Sequence, residues 1–72
     1  MTFRVRIDWA EGDTMYVANV KQPALLTENP AHARRVHNRA NANQYQAEWI
    51  ETIALLGLEG NVSIEDFEAP VK

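Results

Sequence analysis

Residues 3–9 alternate between apolar and charged side chains without interruption. Successive side chains of a β-strand point to opposite faces of a sheet, so this alternation predicts a strand with one buried face. The side chains expected in the core are those of Phe3, Val5, Ile7 and Trp9. The side chains expected to face water or a partner are those of Arg4, Arg6 and Asp8. This pattern limits the chain to folds that contain a half-buried sheet.

A second strand follows closely and predicts a β-hairpin over residues 2–20. Glu11–Asp13 has the composition of a turn, and residues 14–20 are rich in β-forming side chains. An even-numbered loop would pair Ile7 with Tyr16 and bring Tyr16 to the apolar face. The same register would leave Met15 and Val17 on the arginine face, as an exposed apolar patch.

The middle of the chain predicts one long helix after a linker at 21–29. Asn29 is a good N-cap and Pro30 suits the first helical position, so the helix is expected over 30–57. The stretch Asn38–Asn43 contains weak helix formers and is expected to be exposed, frayed or broken. Helical spacing predicts that one face packs on the sheet. That face comprises Tyr45, Trp49, Ile53 and Leu56, joined by Ile50 and Ala54. Leu55 falls on the opposite side, which favours a contact with a partner or a dimer.

Residues 61–67 predict the last strand, and 68–72 a frayed tail. A strand that returns after the helix pairs antiparallel with the first strand, which puts Glu65 on the face of Arg4 and Arg6. The predicted fold is therefore α+β, a single domain over 1–72. Its order is β-β-α-β, with a three-stranded antiparallel sheet of order 2-1-3 and one long helix packed on one face. The other face is expected to be bare and to serve for binding.

The composition excludes several classes of function. The 72 residues contain no cysteine, so disulfide scaffolds and thiolate zinc sites are excluded. His32 and His37 are five residues apart, which does not bring them to one helix face as metal ligands. The three scattered glycines form no phosphate-binding loop. We expect a non-enzymatic protein without cofactor or metal. No apolar run reaches the length of a signal peptide or membrane span, so a soluble cytoplasmic protein is expected.

The charges are segregated along the chain, although the net charge is only −3. Arginines 34, 35 and 39 lie in one basic cluster, whereas every charged residue from Gln44 to Glu68 is acidic. Cations near a helix N-terminus oppose the helix dipole, so a basic cluster there favours a binding role. An acidic protein surface is the expected partner, and nucleic acid is not, because the chain is net acidic. The predicted partner-binding residues are Arg4, Arg6, Met15, Val17, Arg34, Arg35 and Arg39.

In length, element order and charge segregation the chain resembles small bacteriophage proteins that inhibit bacterial RNA polymerase. The resemblance implies stoichiometric binding to a polymerase subunit, in the cytoplasm of the host bacterium. We also expect a monomer or weak dimer without membrane association. It further implies displacement of the promoter-specificity factor or a block of promoter opening. Three alternatives stay open. One is an anti-CRISPR-type inhibitor of a nuclease complex, whose acidic half mimics nucleic acid. Another is a nucleic-acid-binding regulator that uses Arg34, Arg35 and Arg39. The third is a bacterial housekeeping domain.

Overall fold

The protein is α+β, as the sequence predicts, with an antiparallel sheet and one α-helix. The computed structural model describes residues 2–18 and 26–68. The elements of these residues are β1 (Phe3–Trp9), β2 (Thr14–Val17), β3 (Leu26–Thr27), a 3-10 turn (Pro30–His32), α1 (Arg39–Leu55) and β4 (Gly60–Asp66).

The sheet of the described residues has four strands in the order β3-β2-β1-β4. The predicted neighbours of β1 are confirmed, because β2 and β4 flank it and both run antiparallel to it. The prediction of three strands is wrong: Leu26 and Thr27, expected in the linker, pair with Val17 and Tyr16. The first part of that linker (21–25), the end of the hairpin (19–20) and residues 69–72 of the tail lie outside the described residues.

The hairpin register differs from the prediction by one residue. Asp8 pairs with Thr14 and Arg6 with Tyr16, which leaves the five residues 9–13 in the loop. The loop closes on itself, since the amide of Trp9 donates to the carbonyl of Asp13 over 2.8 Å. A shift of one residue moves every side chain of a strand to the other face. Tyr16 therefore lies on the arginine face, and Met15 and Val17 face the helix, the reverse of the prediction.

The main core lies between α1 and the helix-facing side of the sheet. Ile7 and Val5 are the most deeply buried large side chains, as the alternation in β1 predicts. The other buried members of this cluster are Val17, Ile53 and Val62, and partly buried residues packed against them are Trp9, Leu26, Tyr45 and Trp49. Burying side chains of this size stabilises the fold by about 1.5–3 kcal/mol each.

The opposite face of the sheet is covered at one end, contrary to the prediction of a bare surface. Tyr16, Ala33 and Phe67 form a second buried cluster there. Arg4, expected to face water, is buried beside it and is only 3% exposed. Residues 33–36 provide the cover: Val36 pairs with Phe3, and the Arg34 amide donates to the Val17 carbonyl over 2.9 Å.

The predicted helix 30–57 divides into two parts. Asn29 caps Pro30–His32 as predicted, accepting from the Ala31 amide over 2.9 Å, but this 3-10 turn ends after three residues. The α-helix begins only at Arg39, where Asn38 accepts from the Asn41 amide over 2.8 Å. A continuous helix would hold Arg34 and Arg35 against its positive end. The break falls at residues 33–38 and reaches only the first residue of the stretch expected to be exposed, frayed or broken, since Asn41 and Asn43 are helical.

Three side chains expected to pack under α1 are exposed instead. The buried residues of α1 are Ala42 and Ile53, with Tyr45 and Trp49 partly buried on the same side. Ile50 lies about a quarter-turn from this stripe and is exposed, as is Ala54. Leu56 follows the last helical residue as the C-cap and is 67% exposed. The contact of α1 with the sheet is thus a narrow stripe that ends at Ile53.

Gly57 ends α1 through a glycine C-cap. Its φ is +72°, its amide donates to Ala54, and the Leu58 amide donates to Ile53 over 3.0 Å. These two bonds form the Schellman motif, which satisfies carbonyls that the last turn leaves unpaired. The turn directs the chain back into β4.

Replacing Gly57 with alanine is expected to lower the free energy of unfolding by roughly 1 kcal/mol, because an L-residue is strained at positive φ. No heavy atom lies within 4 Å of an added Cβ, so the cost comes from the backbone and not from a clash. Urea unfolding followed by circular dichroism measures the loss. Gly57→Asn is the matched control and should lose less, since asparagine tolerates this conformation. Equal losses for both variants would contradict the assignment.

Candidate functional site

Arg4, predicted to contact a partner, is buried and paired within the fold. It forms an ion pair with Glu65, which confirms the predicted placement of Glu65, and its Nη1 donates to the Phe67 carbonyl over 3.0 Å. Its guanidinium carbon lies 5.2 Å from the centre of the Tyr16 ring and 5.7 Å from that of Phe67. A buried charge is tolerated only when paired and hydrogen-bonded, and Arg4 meets that condition.

Arg6 forms an ionic chain along the same face. Its Nε donates to Asp8 Oδ1 over 3.0 Å, and its Nη1 lies 3.5 Å from Glu65 Oε2. The Thr14 hydroxyl donates to the same Asp8 oxygen over 2.9 Å. The hydrogen bond with Asp8 raises the pKa of Arg6, against a smaller opposing effect of burial. About a third of the Arg6 side chain is exposed (33%). Of the two arginines predicted to bind a partner from this face, Arg6 therefore reaches solvent and Arg4 is buried.

Met15 and Val17 do not form the predicted exposed patch. Val17 is 2% exposed within the main core, and Met15 is half-buried on the same side of the sheet. The register of the hairpin separates both from Arg4 and Arg6, so the structure divides the predicted site between two faces.

The remaining predicted contacts lie on residues 33–39, here called the arginine segment. Arg34, Arg35 and Arg39 are exposed, yet each guanidinium lies over a ring of the protein itself. The distances to the ring centres are 5.8 Å from Arg34 to Tyr45, 4.0 Å from Arg35 to Phe67 and 5.6 Å from Arg39 to Phe3. Arg35 also pairs with Glu68 at 3.2 Å. Such contacts contribute about 0.5–1 kcal/mol each at exposed sites, so the arginines help to hold the segment on the sheet.

A different surface carries the largest exposed apolar side chains of the described residues. It comprises the last two turns of α1 and the turn after it, and we call it the helix-end patch: Ile50 (51% exposed), Leu55 (80%), Leu56 (67%) and Leu58 (50%). Scattered exposed leucines are ordinary, and on the helical wheel Ile50 and Leu56 point about 100–140° away from Leu55. Leu55 is the most exposed of the four and lies on the side of α1 away from the sheet.

Sequence reasoning identified only Leu55 in this patch. The helical wheel predicts Ile50 and Leu56 in the core because they lie near the inward stripe, and it makes no prediction for Leu58. One signal was available: residues 50–58 contain more large apolar side chains than one stripe can bury. Which of these side chains are exposed depends on where the sheet ends beneath the helix.

A shallow open depression of about 230 Å³ lies beside the patch. Its lining residues are Trp9, Ala10, Glu11, Gly57, Leu58 and Glu59. The Trp9 ring lies so close to Gly60 that an added Cβ would come within 2.9 Å of it, so glycine is required for this packing. The depression combines an aromatic wall with two carboxylates.

The helix-end patch and the arginine segment lie at opposite ends of α1 and of β1. The arginine segment pairs with the Phe3 end of β1, and the depression beside the patch includes the Trp9 end. A helix of 17 residues is about 25 Å long, which separates the two surfaces. The exposed charges near the patch are the carboxylates of Glu48, Glu51 and Glu59. The charge segregation of the sequence is therefore also a spatial segregation.

Within residues 2–18 and 26–68, no group of three or more histidine, aspartate or glutamate side chains is arranged to hold a metal ion. In the same residues, no helix has the length and apolar character needed to cross a bilayer. Comparisons with models of protein families, with curated proteins and with solved structures find no match for this chain.

Replacing Glu65 with alanine is expected to destabilise the fold by about 2–3 kcal/mol, because Arg4 then stays buried without its carboxylate. Removing one partner of a fully buried pair costs about 3–5 kcal/mol. The Glu65 side chain is 23% exposed, which lowers that cost. Thermal unfolding with a denaturant series provides the measurement.

The matched control is Glu68→Ala, which removes the exposed partner of Arg35 and should change stability by no more than about 0.5 kcal/mol. If both variants lose the same stability, Arg4 is not the key charge of this face.

Proposed function

We propose that this protein is a non-enzymatic inhibitor that acts by binding a protein complex, with bacterial RNA polymerase as the partner. The observation that carries the proposal is the helix-end patch, in which Leu55 is 80% exposed on a rigid helix. Moving one such side chain from water into an apolar site contributes about 1.5–3 kcal/mol, so a few leucines are sufficient to anchor a complex.

The choice of RNA polymerase rests on the resemblance to small bacteriophage inhibitors in length, element order and charge segregation. The proposed mechanism is stoichiometric: the bound protein occupies a polymerase surface that the promoter-specificity factor or the opening promoter requires. The alternative, an inhibitor of a nuclease complex whose acidic half mimics nucleic acid, would rely on the carboxylates of residues 44–68 and not on the exposed leucines.

The helix-end patch supports protein binding better than the arginine segment supports nucleic-acid binding. Arg34, Arg35 and Arg39 lie against rings of the fold, and Arg35 is also paired with Glu68. A nucleic-acid-binding surface depends on cations that are available to neutralise phosphates. The net charge of −3 further disfavours a polyanion as the partner.

The direct test is binding of the purified protein to bacterial RNA polymerase, measured by biolayer interferometry together with single-round transcription. Leu55→Ser is expected to weaken binding roughly 10- to 100-fold, which is the loss of about 1.5–3 kcal/mol of apolar burial. Inhibition of transcription should weaken in parallel. The fold should be retained, because substitutions at exposed positions change stability little.

Ala47→Ser is the matched control, since it changes an exposed residue of the same helix outside the patch. It should bind as the original protein does. Binding that ignores Leu55→Ser but disappears when Arg34, Arg35 and Arg39 are replaced by glutamine, with a steep dependence on salt, would indicate the nucleic-acid-binding alternative instead.

A further inference from the structure

The exposed side of α1 carries an apolar residue between carboxylates. Leu55 lies one turn after Glu51 and two turns after Glu48, and on the helical wheel it falls between them. All three side chains are exposed. Neither glutamate has a basic neighbour on this half of the helix, because the described chain from Gln44 to Glu68 contains no lysine or arginine.

Exposed apolar side chains next to carboxylates also occur past the end of the helix. Leu58 is 50% exposed and lines the depression with Trp9, and Glu11 and Glu59 lie at its edge. The exposed apolar side chains Leu55 and Leu58 thus each have carboxylates nearby: Glu48 and Glu51 on α1, and Glu11 and Glu59 in the lining of the depression.

This arrangement defines the chemistry of the partner surface, on the premise of the proposed function. We infer that the last two turns of α1 insert into an apolar groove of a folded protein whose walls carry lysine or arginine. A helix that lies in a hydrophobic groove is a common mode of recognition. Leu55 is the apolar side chain that α1 presents between Glu48 and Glu51, and Leu58 follows it beyond the turn at Gly57.

Charge complementarity favours a partner surface that carries lysine or arginine. Carboxylates around an apolar centre disfavour an acidic surface or a phosphate backbone, and they speed association with a basic one. The basic surface of a second copy of this chain is the arginine segment. Among the described residues, its guanidinium groups already lie over Tyr45, Phe67 and Phe3 of the same chain. This favours a different protein as the partner.

Site-specific photo-crosslinking tests the contact in the full chain. Benzoyl-phenylalanine is placed at position 55, with position 28 as the exposed control in another part of the fold. The proteins are expressed in bacteria and irradiated, and the cross-linked peptides are sequenced. The expected result is a cross-link from position 55 to one identified protein, at a site where apolar residues adjoin lysine or arginine. Position 28 should give none.

The identified protein is then purified and titrated with charge variants. Glu48→Lys combined with Glu51→Lys should weaken binding roughly fivefold or more, mainly through slower association and with reduced sensitivity to salt. Glu28→Lys introduces the same type of charge change away from the patch and should bind normally. Circular dichroism of each variant checks that the helix is retained.

Two outcomes separate this inference from the proposed function. Cross-linking of position 55 to a basic groove on a protein other than RNA polymerase supports the inference and overturns the polymerase proposal. Binding of polymerase through residues other than the helix-end patch supports the proposed function and overturns the inference. Cross-links from position 55 to an acidic surface, to nucleic acid or to a second copy overturn the inference, and so does the absence of any cross-link.

Discussion

The burial of the Arg4 guanidinium is the constraint on which the second half of the fold depends. A charge removed from water needs partners from several directions, and here they come from separate parts of the chain. Glu65 supplies the carboxylate, the Phe67 carbonyl accepts a hydrogen bond, and Tyr16 presents its ring. The groups that satisfy Arg4 thereby join β1, β2 and β4 on the face away from α1, and residues 33–36 cover the aromatic cluster beside them.

This arrangement also explains why the middle of the chain is not one continuous helix. The backbone of Val36 pairs with Phe3 and the Arg34 amide donates to Val17, so these residues pair with strands and do not continue a helix. The arginines of that segment then lie over aromatic rings instead of against the positive end of a helix dipole. The sequence predicts this basic cluster as a binding site, and in the structure its arginines contribute to the stability of the fold through these contacts.

The surface that remains without a structural explanation is the end of α1. Tyr45, Trp49 and Ile53 account for the contact of the helix with the sheet, and Leu55 and Leu58 contribute little to it. Exposed leucines reduce solubility and add no stability, which favours a role in contact with another molecule. The neighbouring carboxylates keep such a surface in solution and restrict the partners that it can accept.

Local patterns in the sequence were sufficient for the elements themselves. Local preferences that act over a few positions explain the alternation in β1, the glycine after α1 and the asparagine cap before Pro30. The pairing of Glu65 with Arg4 follows from the strand order. Three features do not follow from local patterns: the loop length of the hairpin, the burial of Arg4 and the exposure of Leu56. Each depends on which distant residues meet: Tyr16 faces Arg4 only because the loop is odd, and Leu56 is exposed only because packing ends at Ile53. The sequence alone therefore determined the α+β class and the segregation of charge, since both come from local pattern and composition. Tertiary structure decided which face each side chain occupies, because one residue of register reverses a whole strand.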